Sequence, residues 1–305
     1  MNRAFDILGT VLPVFLTLGL GMLCRRRRII SPEGVETLKK VVVNITLPAV
    51  NLAAFSAANY TPRTLLIPLW VFTCCCIALA LGFTARRALR FSGKLTPYFC
   101  TCFEGGMLGF ALYPMFYGTL APFAIVDMGQ VIFVFTIYKA LLSGARGPRA
   151  LLREAASSPS LWTLVIGTII GASGLYGAMA SSGINVVFDK ILDFVSAPTA
   201  FMILLSVGYE LKPAEIPWRE TAAAVAARLG IMGLLLGLTL LFNRFVLGGI
   251  MDNTAAILLF SLPAPFVLPV FAKNDPEERS FLSSSLSVMT CVTVLLFTIM
   301  VIFIR

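Results

Sequence analysis

Apolar and polar positions fall into long blocks along this chain. Apolar stretches of about 20 residues, the length that spans hydrocarbon as a helix, alternate with short loops that are mostly basic. "ILGTVLPVFLTLGLGMLC" (7–24) and "LSVMTCVTVLLFTIMVIFI" (286–304) contain no charged residue. The pattern predicts ten spans, near 5–24, 36–56, 65–85, 97–118, 121–142, 160–179, 188–209, 221–243, 254–272 and 281–304. The second, fourth and ninth are the least regular. A soluble protein buries one such run easily, but not ten, so the fold class expected is an all-α polytopic membrane protein.

The longest polar break, "SGARGPRALLREAASSPS" (143–160), leaves five spans on each side. An odd number per half forces the halves into opposite orientations, the arithmetic of an inverted repeat. The expected organisation is a first five-helix repeat (1–143), a cytoplasmic linker (144–159) and a second, inverted repeat (160–305). Composition adds support. The chain is 58% hydrophobic and 13% charged, whereas soluble domains carry about 25% charged residues.

Charge then sets orientation. The connections on the side of the first loop hold Arg25 to Arg28, Lys39, Lys40, Arg86, Arg87, Arg90, Lys94, Lys139, Arg146, Arg149, Arg153, Lys212, Arg219, Lys273 and Arg279, eighteen basic residues. The other side holds five: Arg3, Arg63, Lys190, Arg244 and Arg305. The basic side is expected to be cytoplasmic and both termini outside a cell membrane. The net charge of +9 is thereby explained without a nucleic-acid partner; "RRRR" (25–28) directly follows a span. It also follows, rather than precedes, the first apolar core, so that segment reads as an anchor and not a cleavable signal.

Certain spans are built badly as helices. "FEGGMLGFALYPMFYG" (103–118) holds a carboxylate, clustered glycines and a proline. Gly105, Gly106 and Gly109 lower the cost of leaving helical geometry, and Pro114 removes a donor. Its counterpart in the second half, "FSLPAPFVLP" (260–269), contains Pro263 and Pro265. "NITLPAVNLAAF" (44–55) and "DFVSAPTAFMILL" (193–205) form a second such pair, with Pro48 and Pro198. Unwound backbone cannot face lipid, because unsatisfied peptide groups cost several kcal/mol each (roughly 2–7). These stretches must be buried in protein or line a wet cavity. If the fourth and ninth spans are both broken they can cross near the midplane, offering positive helix ends to an anion and free carbonyls to a cation.

Ionisable residues inside the spans are rare: Glu104, Asp127 (with Gln130 in "DMGQ", 127–130) and Arg228. Charges at membrane depth face the interior, pair, or change protonation state. Glu104, Asp127 and Gln130 are candidates for proton or cation coupling, and Arg228 either takes part in function or forms a static ion pair with one carboxylate. Asn44 and Asn51, seven apart, should share a helix face and either contact a solute or hold helices together. "SSSLS" (283–287) is either a polar lining or a small-residue packing face. The seven cysteines show no CxxC, and histidine is absent, so no metal site or cofactor is indicated beyond a coupling proton or sodium ion. No GxSxG, P-loop or HExxH is present, and an enzyme is not expected.

Three motifs together, "NITLPAV" in the second span, "GFALYPMFYG" in the fourth and "LPAPFVLPVFAKND" in the ninth, resemble the auxin efflux carrier family of bacteria and plants. So does the opening "LPVFLTLGLGMLCRRRRIIS". The resemblance runs over essentially the whole chain. It implies a ten-helix inverted-repeat carrier, related in architecture to bile-acid symporters and sodium/proton antiporters. In that architecture the fourth and ninth helices cross at prolines, here Pro114 and Pro263 or Pro265. Helices 1, 2, 6 and 7 form a scaffold, often dimeric, and helices 3–5 and 8–10 form a mobile domain. Family members move organic anions such as auxin and malate. Asn44, Asn51, Gly105, Gly106, Pro114, Pro263 and Pro265 then become candidate substrate-binding residues. Where many members carry an asparagine near the crossover, this chain has Glu104 and two glycines, which favours a proton as the coupling ion. The competing functions are export or exchange of a neutral or amphiphilic solute, with Glu104 and Arg228 as a structural pair, and a channel or sensor.

Overall fold

The computed structural model describes residues 3–58, 60–91, 93–143, 159–211, 217–272 and 275–304. Among them every regular element is helical. We number them α1 (Arg3–Arg26), α2 (Pro32–Ser56), α3 (Leu66–Ala88), α4 (Gly105–Phe116), α5 (Ala121–Leu142), α6 (Pro159–Ala172), α7 (Leu175–Ser182), α8 (Ile184–Glu210), α9 (Trp218–Leu247), α10 (Asn253–Ser261) and α11 (Pro276–Ile304). Among the described residues, seven helices are long and apolar enough to cross a membrane: α1, α2, α3, α5, α8, α9 and α11. The number becomes eight if α6 and α7, bent by 69° at a break of Ser173 and Gly174, count as one span. The chain is thus an all-helical polytopic membrane protein. Positions 144–158 of the central linker and the basic residues Arg146, Arg149, Arg153, Lys212, Lys273 and Arg305 lie outside the described residues.

The remaining predicted spans, the fourth and ninth, are interrupted. The fourth begins with a single helical turn at Thr96–Phe99, runs as irregular chain to Glu104, and re-enters helix through a π turn at Gly105–Gly109. The ninth is helical only over α10. It continues as irregular chain through Pro263 and Pro265 and ends in a 3₁₀ turn at Leu268–Phe271. Consecutive prolines at alternate positions deny the backbone both donors and helical geometry just where α10 stops.

Elsewhere, close helix contacts follow small residues. Gly21 of α1 and Gly208 of α8 lie where a Cβ on either would strike the partner's main chain, at Leu205 and Gly208 in one direction and Leu18 in the other. The same end is fastened by Arg25, which donates from Nη1 to the Tyr209 carbonyl (3.0 Å), and by Lys39, which ion-pairs with Glu210 and lies 3.6 Å from Glu36. α2 packs its second half on α6, and α3 packs on α5. α3 also meets α9, where Trp70 stacks on Phe242 at 4.1 Å between centroids and its indole N–H reaches the Thr239 hydroxyl (3.0 Å).

One expectation fails at α2. Asn44 and Asn51 do not share a face. A π turn at Val42–Thr46 adds residues per turn and rotates the helix across that stretch. Asn44 is left exposed, with its amide bonded to the Lys40 carbonyl (2.8 Å), while Asn51 is buried.

Candidate functional site

The two interrupted segments meet. Glu104 donates its backbone N–H to the Pro263 carbonyl (2.8 Å), and its carboxylate Oε2 accepts the Phe266 N–H at 2.5 Å. The Met107 N–H also faces that carboxylate. Phe103 and Phe260 pack edge to face beside them at 5.0 Å. The contact therefore closes on Glu104 with Pro263 and Phe266, while Pro114 lies further along the chain and is half-buried. Pro263 and Pro265 are buried at the crossing itself.

Irregular backbone in such a place raises an accounting question: where do its peptide groups bond? Arg228 answers most of it. Its side chain is completely buried. Nη1 donates to the carbonyls of Phe99 (2.5 Å) and Thr101 (3.4 Å), and Nη2 to those of Cys102 (2.6 Å) and Leu262 (2.9 Å). One guanidinium thus reaches both broken segments, as its planar fork of donors allows. Cys102 helps by adopting a left-handed backbone (φ 58°), an uncommon conformation for a side-chain-bearing residue. The Ser261 carbonyl at the end of α10 is taken by the Thr293 hydroxyl of α11 (2.6 Å).

Two corrections to the sequence reading follow. Arg228 does not pair with a carboxylate among the described residues; its partners are main-chain oxygens. Four carbonyls at the break, those of Phe99, Thr101, Cys102 and Leu262, are likewise taken by that guanidinium rather than left free for a cation. The physical reason is the same in each case. Breaking two helices in the interior orphans more acceptors than donors, and a buried cation with several donors settles them together.

Asp127 is fully buried on α5. Its Oδ1 accepts from the Gln130 side-chain Nε2 at 2.9 Å, while its Oδ2 and the Oε1 of Gln130 are buried without a partner. The carboxylate presses against Gly105 so closely that a Cβ there would overlap Oδ1. Gly106, next in the π turn, faces Leu47 of α2, 3.4 Å from where its Cβ would stand. Glu104, Gly105, Asp127, Gln130, Pro263, Pro265 and Arg228 are therefore gathered around one crossing, with Gly106 at its edge. Asn44 and Pro114 are not part of it.

The structure also brings up buried hydroxyls: Thr46, which lies between Asn44 and Asn51 in the sequence, and Thr199, which the sequence pattern did not single out. Thr46, in the π turn of α2, and Thr199, directly after Pro198 in α8, are buried with no partner for their oxygens. The second half of α8 packs on both the Val42–Thr46 and Gly105–Gly109 turns. Their adjacency to helix-breaking prolines was the available signal. Ser285, in the serine-rich stretch of α11, is buried in the same unpartnered way.

No family model matches the chain. It is similar to a protein of Methanothermobacter thermautotrophicus called an uncharacterized transporter, at 25% identity over 301 residues, covering 92% of this chain and 93% of that one.

Proposed function

We propose that the protein is a secondary carrier for a small organic anion, working by alternating access around the crossing of the two broken segments. The observation that carries this reading is that crossing: interrupted backbone from two distant segments, joined by Glu104 and held by Arg228 inside an apolar protein. Discontinuous helices at membrane depth are how carriers present peptide groups to a solute. The similarity to a transporter along nearly the full length of both chains points the same way. The motifs resembling the auxin efflux carrier family add the substrate class, a carboxylate such as malate or an auxin-like acid.

In this reading the ten predicted spans form two inverted halves with both termini outside the cell membrane. α1, α2, α6 and α8 form a scaffold, dimeric by the same resemblance, and the elements around the crossing form the moving part. The tight contacts α1–α8 and α2–α6 on one hand, and α3–α5, α9–α10 and α9–α11 on the other, support the division. Asn51, Thr46 and Thr199 would line the scaffold side of the solute route, and Glu104, Asp127 and Gln130 would set the charge on the moving side.

A second reading rests on a specific observation. The Glu104 carboxylate already takes the Phe266 N–H, and the Arg228 donors serve carbonyls, which favours a neutral or amphiphilic solute that needs no buried cation. Counterflow in proteoliposomes with labelled malate, indole acetate and a neutral amino acid separates the two. The carrier reading expects saturable, trans-stimulated exchange of at least one acid, lost in Glu104→Gln although the variant still inserts. Exchange of the amino acid alone selects the second reading, and non-saturable flux selects a channel.

A further inference from the structure

The two carboxylates at the crossing are solvated differently. Glu104 accepts from the main-chain N–H of Phe266 and faces that of Met107, so a negative charge there would be met by donors. Asp127 has a single donor, the Gln130 amide, on Oδ1. What remains is a matched pair of defects. Oδ2 of Asp127 and Oε1 of Gln130 are both acceptors, both buried, and both without a donor. These two groups already share one hydrogen bond, and the free atoms are the other oxygen of each. An acid and a primary amide can form a two-bonded ring, amide N–H to acid C=O and acid O–H to amide C=O. The first bond is present. One hydrogen on Oδ2, pointing to Oε1, supplies the second and removes both defects.

We infer that Asp127 and Gln130 form a binding site for a single proton, with Asp127 held as the neutral acid and its O–H donated to the Gln130 carbonyl. The buried charges agree. Arg228 and Glu104 balance, and a neutral Asp127 leaves no surplus charge in the interior, where an unpaired one is costly. Among the described residues no donor bonds Oδ2 of Asp127. Glu104 and, on α3, the Cys75 thiol are the ionisable groups facing Asp127. The π turn Gly105–Gly109, the second half of α2 and α10 carry no ionisable side chain where they pack on α5, Arg86 and Arg87 lie at the far end of α3, and Tyr138 lies further along α5. Because the Asp127 carboxyl abuts the Gly105 backbone, loss of the proton to water in whichever direction the site opens places a charge directly against the first turn of α4. That step would couple one proton to the movement of the broken segment. The coupling rests on the carrier reading; the proton site does not.

Infrared difference spectra of the whole protein in lipid, wild type against Asp127→Asn at neutral pH, test the site. The C=O band of a protonated carboxylic acid is expected in the wild type and lost in the variant, and Gln130→Leu should shift it. A difference showing carboxylate bands alone overturns the proposal, as does an acid band that Gln130→Leu leaves in place. Should Asp127→Asn fail to fold, titrating the wild-type band with pH and comparing Gln130→Leu decides the same question. For coupling, uptake of labelled malate with an imposed pH gradient is compared with uptake without one. The ratio should exceed unity in wild type and fall to parity in Asp127→Asn; a gradient response kept by that variant overturns coupling through Asp127. An acid band together with no transport of any organic acid sinks the carrier reading and leaves the proton site standing.

Discussion

Arg228 shows how one residue can make an irregular interior possible. Four carbonyls from two segments converge on it, and an orphaned buried acceptor costs about 1–3 kcal/mol. Arg228→Met is expected to lower thermal stability by several kcal/mol and to prevent recovery of folded protein, read by size-exclusion in detergent. Arg228→Lys keeps the charge but offers a compact ammonium in place of the fork, so it should recover only part of the loss. Sequence marked Arg228, Glu104 and Asp127 through the rarity of charge in apolar surroundings. Their partners could not be read there. Arg228 bonds to residues 129 and 126 positions away, and Glu104 to one 162 positions away, and no local periodicity encodes such distances. The natural assumption, that a buried cation seeks a buried anion, overlooked the demand made by unwound backbone.

Among the elements, spans with unbroken apolar runs were legible nearly to their ends; α3 and α11 are examples, since nothing in them competes with the helix. The breaks in the fourth and ninth segments were legible too, from "EGGMLG" and "LPAP". The π turn in α2 was not. Val42–Thr46 holds no glycine or proline, and its only mark is the rotation that separates Asn44 from Asn51. Gly105 ties an element to the chemistry, because the π turn can approach Asp127 only without a side chain. Gly105→Ala should force the two apart at about 1–3 kcal/mol, the usual cost of overpacking. The expected outcome is a protein that inserts and purifies normally but has lost exchange activity in proteoliposomes, together with a moved Asp127 infrared band. A neighbouring Gly106→Ala, with room for its methyl beside Leu47, should be milder on both readouts.

Over the whole molecule, the contact of α1 with the second half of α8 is main chain against main chain at Gly21 and Gly208. Gly208→Leu should push the helices apart and lower the melting temperature measured in detergent, while Gly230→Leu on α9, where a Cβ meets nothing within 4 Å, should be tolerated. That seam has a further consequence. Two backbones in direct touch leave no channel wide enough for a file of water molecules, and Arg25 closes the end over the Tyr209 carbonyl. Where these two glycines meet, the α1–α8 seam is therefore closed to a chain of waters, and protons find no wire through the bilayer at that point.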